Sequence, residues 1–204
     1  KNRLVLFNKI YHYIFILGLR IIIIFSIEII SNFILIYKFN TFLHFKIMKI
    51  LLLQIDKTQN SYLSEGIEIY TKRLINYSSF DINTIQISKN IRKRSVLEQK
   101  LEETKLILQQ IQNDDFLILL DENGKEMNSI EFSDFILKQQ NRSTKRIIFI
   151  IGGPFGFDTK LYDRANYILS LSKMTFSHQM IRLIFVEQLY RAFTILKGEK
   201  YHHE

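Results

Sequence analysis

The sequence predicts an α/β domain built on a parallel sheet, and three observations carry that prediction. Short runs such as Phe116–Leu120 and Arg146–Ile151 are apolar along nearly their whole length, as strands covered on both faces must be. They alternate with longer segments whose apolar residues recur at helical spacing. No Pro- or Ser-rich linker and no internal repeat interrupts residues 48–204, so this stretch is expected to form one domain.

Residues 50–55 form the first expected strand. Leu63, Ile67, Tyr70, Leu74 and Tyr77 then share a helix face, with Glu68 and Lys72 paired four apart on another. A strand is expected over Ile82–Ile87, followed by a basic loop over Lys89–Arg94. Ser95 and Glu98 form a capping-box pattern and open a helix with Leu97, Leu101, Thr104, Leu108 and Ile111 on one stripe. The Phe116–Leu120 strand ends at Asp121 and is expected to turn tightly through Asn123-Gly124, a pair that tolerates positive φ. Asn128 and Glu131 mark the next helix start, before Phe132, Phe135 and Ile136. Arg146–Ile151 is closed by Gly152-Gly153-Pro154. A short helix near Thr159–Ala165, a strand near Ile168–Ser170 and a final helix over His178–Leu196 complete the domain.

Hydrophobic residues make up 47% of the chain and charged ones 24%, which excludes wholesale disorder. The absence of cysteine excludes disulfides and thiolate metal sites and fits a reducing compartment. A net charge of +8 would point to nucleic acid, but its distribution weakens the inference. Lys1, Arg3, Lys9, Arg20, Lys38 and Lys46 stand against only Glu28 in residues 1–47. Basicity alone therefore makes a weak case for RNA.

Residues 10–45 are almost continuous Ile, Phe, Leu and Tyr. A membrane helix over Ile21–Tyr37 approaches the roughly 20 apolar residues of a span, but Glu28 lies within it and Arg20 interrupts the longer run. A secretory signal fits poorly, because no small-residue cleavage site follows. The favoured reading is translation of AT-rich DNA upstream of the gene, since the first methionine, Met48, directly precedes the first strand. Residues 1–47 are then expected to be an extension foreign to the native protein.

Four segments carry candidate chemistry. Ile151-Gly152-Gly153-Pro154-Phe155-Gly156 follows a strand, where glycines let a backbone approach a ligand closely; a plain strand-ending turn fits equally well. Leu171 to His178 is a second strand-to-helix junction, although Met174 and Phe176 also suit core packing and Lys173 a solvated surface. The last helix is apolar on two sides, which asks for a second partner such as another subunit. On it, Arg182 lies one turn from His178, while Glu187 and Arg191 can pair four apart. The tail Tyr201-His202-His203-Glu204 can stack on a nucleotide or fray.

Ile151-Gly152-Gly153, the run Leu169 to Arg182, Glu187 to Ala192, Gly198 and Tyr201-His202 together closely resemble the RlmH family. These are SPOUT-type methyltransferases acting on N3 of a pseudouridine in 23S ribosomal RNA. The resemblance spans Met48 to Glu204. It implies a C-terminal trefoil knot, a homodimer, a cytoplasmic location, S-adenosylmethionine as methyl donor and no metal. It also implies recognition of the RNA within the assembled ribosome. Carried over by position, Leu120, Gly152, Leu171, Ser172, Lys173, Met174, Thr175 and Phe176 bind the cofactor. His178, Arg182, Tyr201 and His202 lie on the substrate side, with His178 or His202 accepting the N3 proton and Arg182 stabilising the charge that develops on the base. The rival functions are a non-enzymatic RNA- or ribosome-binding protein and, from residues 10–45, a membrane-anchored one.

Overall fold

The computed structural model describes residues 26–36 and 48–201. The chain divides into two units, Lys1–Leu43 and His44–Glu204. In the first, residues 26–36 form a helix, α1, which covers part of the proposed Ile21–Tyr37 span; the rest of that span lies outside the described residues. Among the described residues no helix is long and apolar enough to cross a membrane.

The second unit carries a sheet of five parallel strands: β1 (Lys49–Ile55), β2 (Ser79–Ile85), β3 (Phe116–Glu126), β4 (Arg146–Ile151) and β5 (Tyr167–Ser170), ordered β2-β1-β4-β3-β5. The intervening helices are α2 (Ser61–Leu74), α3 (Lys89–Arg92), α4 (Val96–Leu108), α5 (Ser129–Asn141), α6 (Thr159–Arg164) and α7 (Met180–Leu196). Pleating sends alternate residues to opposite faces, and on the central strands both sets are apolar. Ile147, Phe149 and Ile151 of β4, with Ile50, Leu52 and Ile118, pack under α2, α5 and α7. Ile148 and Ile150, with Leu53, Leu117 and Leu119, pack under α4 and α6. The sheet is thus covered on both faces, as the continuous apolar runs require.

Several local readings shift. The strand expected over Ile82–Ile87 starts and ends earlier, at Ser79 and Ile85, because the Ile87 N–H donates to the Asp56 carboxylate (3.1 Å) instead of to a strand. Within the expected basic loop, Lys89–Arg92 closes one helical turn capped by the Ser88 hydroxyl. Both capping boxes form, Ser95 with Glu98 and Asn128 with Glu131. The stripe expected on α4 forms only in its second half: Thr104 is buried and Leu108 and Ile111 pack on the core, whereas Leu97 is 65% and Leu101 40% exposed and Glu103 and Ile107 face inward with Thr104.

The expected Asn123-Gly124 turn is also absent. Neither residue takes positive φ. Instead β3 bulges between Leu120 and Lys125 and then pairs again with Leu169 and Ser170 of β5. Glycine is required at 124 for a different reason, since a Cβ there would lie 2.7 Å from the backbone carbonyl carbons of Ile168 and Leu169.

The two-sided apolar character of α7 is largely satisfied within the chain. The helix lies against the sheet and packs against both α2 and α5, and none of its residues is exposed. The apolar face assigned to a second subunit is therefore shared with the chain's own helices.

Ile107→Ala should destabilise by about 2–5 kcal/mol, the range for deleting buried aliphatic side chains, whereas Leu97→Ala should stay within about 0.5 kcal/mol. Urea unfolding monitored by circular dichroism checks both; the reverse order would restore the expected stripe.

Candidate active site

In parallel sheets, ligands bind beyond the carboxyl ends of the strands, and here that edge carries a cavity of about 510 Å³. Three loops wall it: residues 120–123 in the β3 bulge, 151–157 after β4, and 169–178 after β5, with Lys100 on one rim. Its size lies within the roughly 300–1,000 Å³ of small-molecule sites.

Each wall is held by its own chemistry. The Tyr162 hydroxyl donates to Asp121 (2.6 Å), and burial with that neighbouring carboxylate pushes the phenol well above its usual range. Thr175 donates to Glu122 (2.6 Å), joining the first and third loops beside the cavity. The Ser172 hydroxyl accepts the Met174 N–H (2.9 Å), and the Ser172 carbonyl accepts the Ser170 hydroxyl (2.9 Å). These bonds fold the third loop back on itself.

The middle loop uses its glycines for close approach. A Cβ at Gly152 would touch the Phe157 ring at 3.0 Å; one at Gly153 would lie 2.7 and 2.8 Å from the carboxylate oxygens of Glu103. Glu103 is 6% exposed, and its carboxylate accepts the Gly153 N–H. Burial raises its pKa, and Asp56 adds to the rise, while the Gly153 bond and Arg92 oppose it.

Of the residues implied by resemblance, Leu120, Gly152, Leu171, Ser172, Met174, Thr175, Phe176 and His178 all line this one cavity. Met174 and Phe176 are 74% and 37% exposed, so the core-packing alternative fails: they form an apolar rim with Phe155. Lys173 does not line the cavity. Its ammonium points to Glu126 at 3.7 Å and stays solvated.

His178 sits half-buried at the cavity edge. Burial lowers its pKa, the Arg182 charge lowers it further, and Asp56 only partly offsets them. Its imidazole is therefore neutral at pH 7 and free to accept a proton. The helix behind it starts at Met180 instead of His178, because the Ser177 hydroxyl takes the Met180 N–H (3.2 Å).

Arg182 departs most from expectation. It has no exposed surface. Its guanidinium donates to the Ile55 carbonyl (2.6 Å), the Asp56 carbonyl (2.9 Å) and the Thr58 hydroxyl (3.0 Å). A group so enclosed offers a bound base no contact in this conformation; it holds the loop after β1 instead. Tyr201 is likewise outside the cavity. Its hydroxyl donates to Glu187 (3.1 Å) and meets Tyr70 (3.2 Å), while its ring packs edge-on against Tyr190 under the Arg191 guanidinium. Glu187 and Arg191 do pair, at 2.6 Å. His202 lies outside the described residues.

The sequence profile described as "Predicted SPOUT methyltransferase" matches residues 48–202. "Ribosomal RNA large subunit methyltransferase H" of Christiangramia forsetii is 52% identical over 156 residues, covering 76% of this chain and 99% of that protein. The chain belongs to the RlmH family of SPOUT methyltransferases. Proteins described in the same words are 50% identical in Parabacteroides distasonis, over 77% of this chain and all of that one, and 53% identical in Cytophaga hutchinsonii, over 76% and 100%. Among solved structures, a "Probable Methyltransferase" of Bordetella pertussis Tohama I is similar with a TM-score of 0.48 at 7% identity, over 76% of this chain and 98% of that one.

Asp121, Glu122, Tyr162, Phe157 and Glu103 escaped the sequence reading of this RlmH-family chain. Only Asp121 carried a signal, as the first polar residue after an apolar strand; Glu103, Tyr162 and Glu122 are brought in by tertiary packing from α4, α6 and the bulge, and Phe157 by the loop after β4. Among the described residues no group of three or more His, Asp or Glu side chains is arranged to hold a metal.

Gly153→Ala should displace the Glu103 carboxylate and distort the middle loop. Calorimetric titration should show affinity for S-adenosylmethionine falling about tenfold or more, equivalent to about 1.4 kcal/mol. Unchanged affinity would remove this turn from the binding surface.

Proposed function

We propose that the domain over residues 48–204 transfers a methyl group from S-adenosylmethionine to N3 of a pseudouridine in 23S ribosomal RNA, acting on the assembled ribosome in the cytoplasm. The observation that carries this reading is the convergence of eight family-matched positions, from Leu120 to His178, on one cavity. The glycine cradle at residues 152–153, the half-apolar lining and the exposed rim of Phe155, Met174 and Phe176 suit a nucleoside with a short aliphatic arm.

When bound, the cofactor supplies an electrophilic methyl carbon on a sulfonium. Uracil-type N3 is a good nucleophile only as its proton leaves, so the protein's tasks are positioning and proton removal. Leu120, Gly152 and the loop Leu171–Phe176 hold the cofactor. Neutral His178 at the cavity edge takes the N3 proton, with His202 of the tail as the other candidate. Arg182 acts as a positioning residue: by fixing Asp56–Thr58 it keeps His178 in place, and its charge adds to the burial that disfavours protonating that imidazole. The domain works as a homodimer carrying the family's knot, and Tyr201, which does not reach its own chain's cavity, is anchored to α2 and α7. Residues 1–47 are dispensable for the transfer.

Methyl transfer from labelled cofactor to ribosomes lacking the modification tests the reading. A single labelled 23S site is expected, with the chain from Met48 as active as the full one. Because the His178 pKa is depressed below the ordinary value of 6.5, the rate should be level around neutral pH and fall in acid with a midpoint below that value, as the imidazole takes up a proton. His178→Gln should lower kcat about a hundredfold or more with cofactor affinity unchanged. A wild-type rate already falling above pH 7 would exclude His178 as the base.

A further inference from the structure

We propose that the cationic segment Lys89–Lys100, with Lys57 beside it, is the surface on which the phosphate backbone of the substrate RNA docks. This rests on the reading of the chain as an RNA methyltransferase and assigns that activity a place for its macromolecular substrate.

The segment carries five cations, Lys89, Arg92, Lys93, Arg94 and Lys100, against the single carboxylate of Glu98. That carboxylate is already occupied, accepting the Ser95 N–H (3.0 Å) and hydroxyl (2.6 Å) in the α4 capping box. Arg94 makes only a long 3.5 Å contact with Glu102. Among the described residues Lys57, Lys89, Lys93 and Lys100 form no ion pair, and Lys57, Lys89, Lys93 and Arg94 are exposed. The domain's modest positive charge is therefore concentrated where Asp56 and Glu102 answer only Arg92 and Arg94 and leave the lysines unanswered.

Topology puts this charge beside the cavity. In a parallel sheet, the segments that follow β1 and β2 emerge at the same carboxyl edge as the three cavity loops. Lys57 follows β1 and Lys89 follows β2, and Lys100, one helical turn into α4, is itself part of the cavity rim.

The surface is also rigid. Arg92 bridges the Asp56 carboxylate (2.8 Å) and the Ile87 carbonyl (3.4 Å). Gln99 donates to the carbonyls of Arg92 (3.2 Å) and Arg94 (2.8 Å), locking the link between α3 and α4. Cations held in place lose little freedom on binding. Exposed Lys and Arg side chains suit phosphate contacts, which position a nucleic acid without reading its sequence, so this surface positions the RNA while the cavity selects the base.

The test compares the full chain with two triple variants: Lys89→Gln/Lys93→Gln/Arg94→Gln, and the control Lys138→Gln/Arg142→Gln/Lys145→Gln. The control residues lie at the end of α5 and just before β4, on the opposite edge of the sheet. Affinity for naked 23S rRNA and for large ribosomal subunits is measured over a potassium chloride series, with cofactor affinity by calorimetry to show that each variant is folded. The first variant should bind both RNA forms about tenfold or more weakly near 0.15 M salt, with a shallower slope of log affinity against log salt. The control should stay within about twofold of wild type. Equal losses in both variants, or an unchanged slope in the first, would overturn the proposal. So would a loss confined to ribosomal subunits, which would make the partner a ribosomal protein. A chain whose RNA affinity depends on these residues but which transfers no methyl group would keep the docking surface and refute the enzymatic reading. Methyl transfer with an unchanged salt slope would do the opposite.

Discussion

A buried guanidinium organises the active edge of this domain. Enclosing a charge without partners is costly, and Arg182, with no exposed surface, offsets that cost by donating to the Ile55 and Asp56 carbonyls and the Thr58 hydroxyl. Those bonds fasten α7 to the end of β1. They also help hold Asp56 at φ 60°, a left-handed conformation uncommon outside glycine. In that conformation the Asp56 carboxylate takes both the Ile87 N–H and the Arg92 guanidinium, so the segment just after β2 and the end of α3 are tied to the same point. Gln179 adds a further tether from the start of α7 to the Gln59 N–H (2.9 Å). His178 and the α3 surface on either side thus depend on one set of contacts.

The cavity is built on the same economy. Few of its walls rely on side chains reaching a ligand; most are backbone loops braced from behind by Tyr162, Thr175, Ser172 and Glu103. The close contacts of Gly124 with the β5 backbone, of Gly152 with the Phe157 ring and of Gly153 with the Glu103 carboxylate show how tightly these loops are packed from behind. For a reaction whose catalysis is mainly positioning, rigid loops on a sheet edge are an appropriate device.

Much of the fold was legible because it depends on periodicity and capping. The apolar runs of β1, β3 and β4 and the two capping boxes are local signals that tertiary structure did not override. The α4 stripe holds at Thr104, Leu108 and Ile111 but not at Leu97 and Leu101, because Glu103, a charged residue, is turned inward to bind the Gly153 N–H, a choice made by the loop after β4 and invisible from α4 itself. The Asn123-Gly124 turn failed because its glycine answers to the backbone of β5, more than forty residues away. At the site, Gly152, Leu171 and His178 could be placed through strand-to-helix junctions and family resemblance. Spacing places Arg182 one turn from His178 but does not reveal that its guanidinium points into the protein, toward the loop after β1.

The central claim is that the three loops at the carboxyl edge of the sheet form the methyl-donor site. A crystal structure of the full chain grown with S-adenosylmethionine tests it most directly. The account predicts the adenosine and its sulfonium arm between Leu120, Gly152–Gly153 and Leu171–Phe176, with the methyl carbon facing the His178 side of the cavity. Cofactor bound elsewhere on the domain, with these loops unchanged and empty, would contradict it.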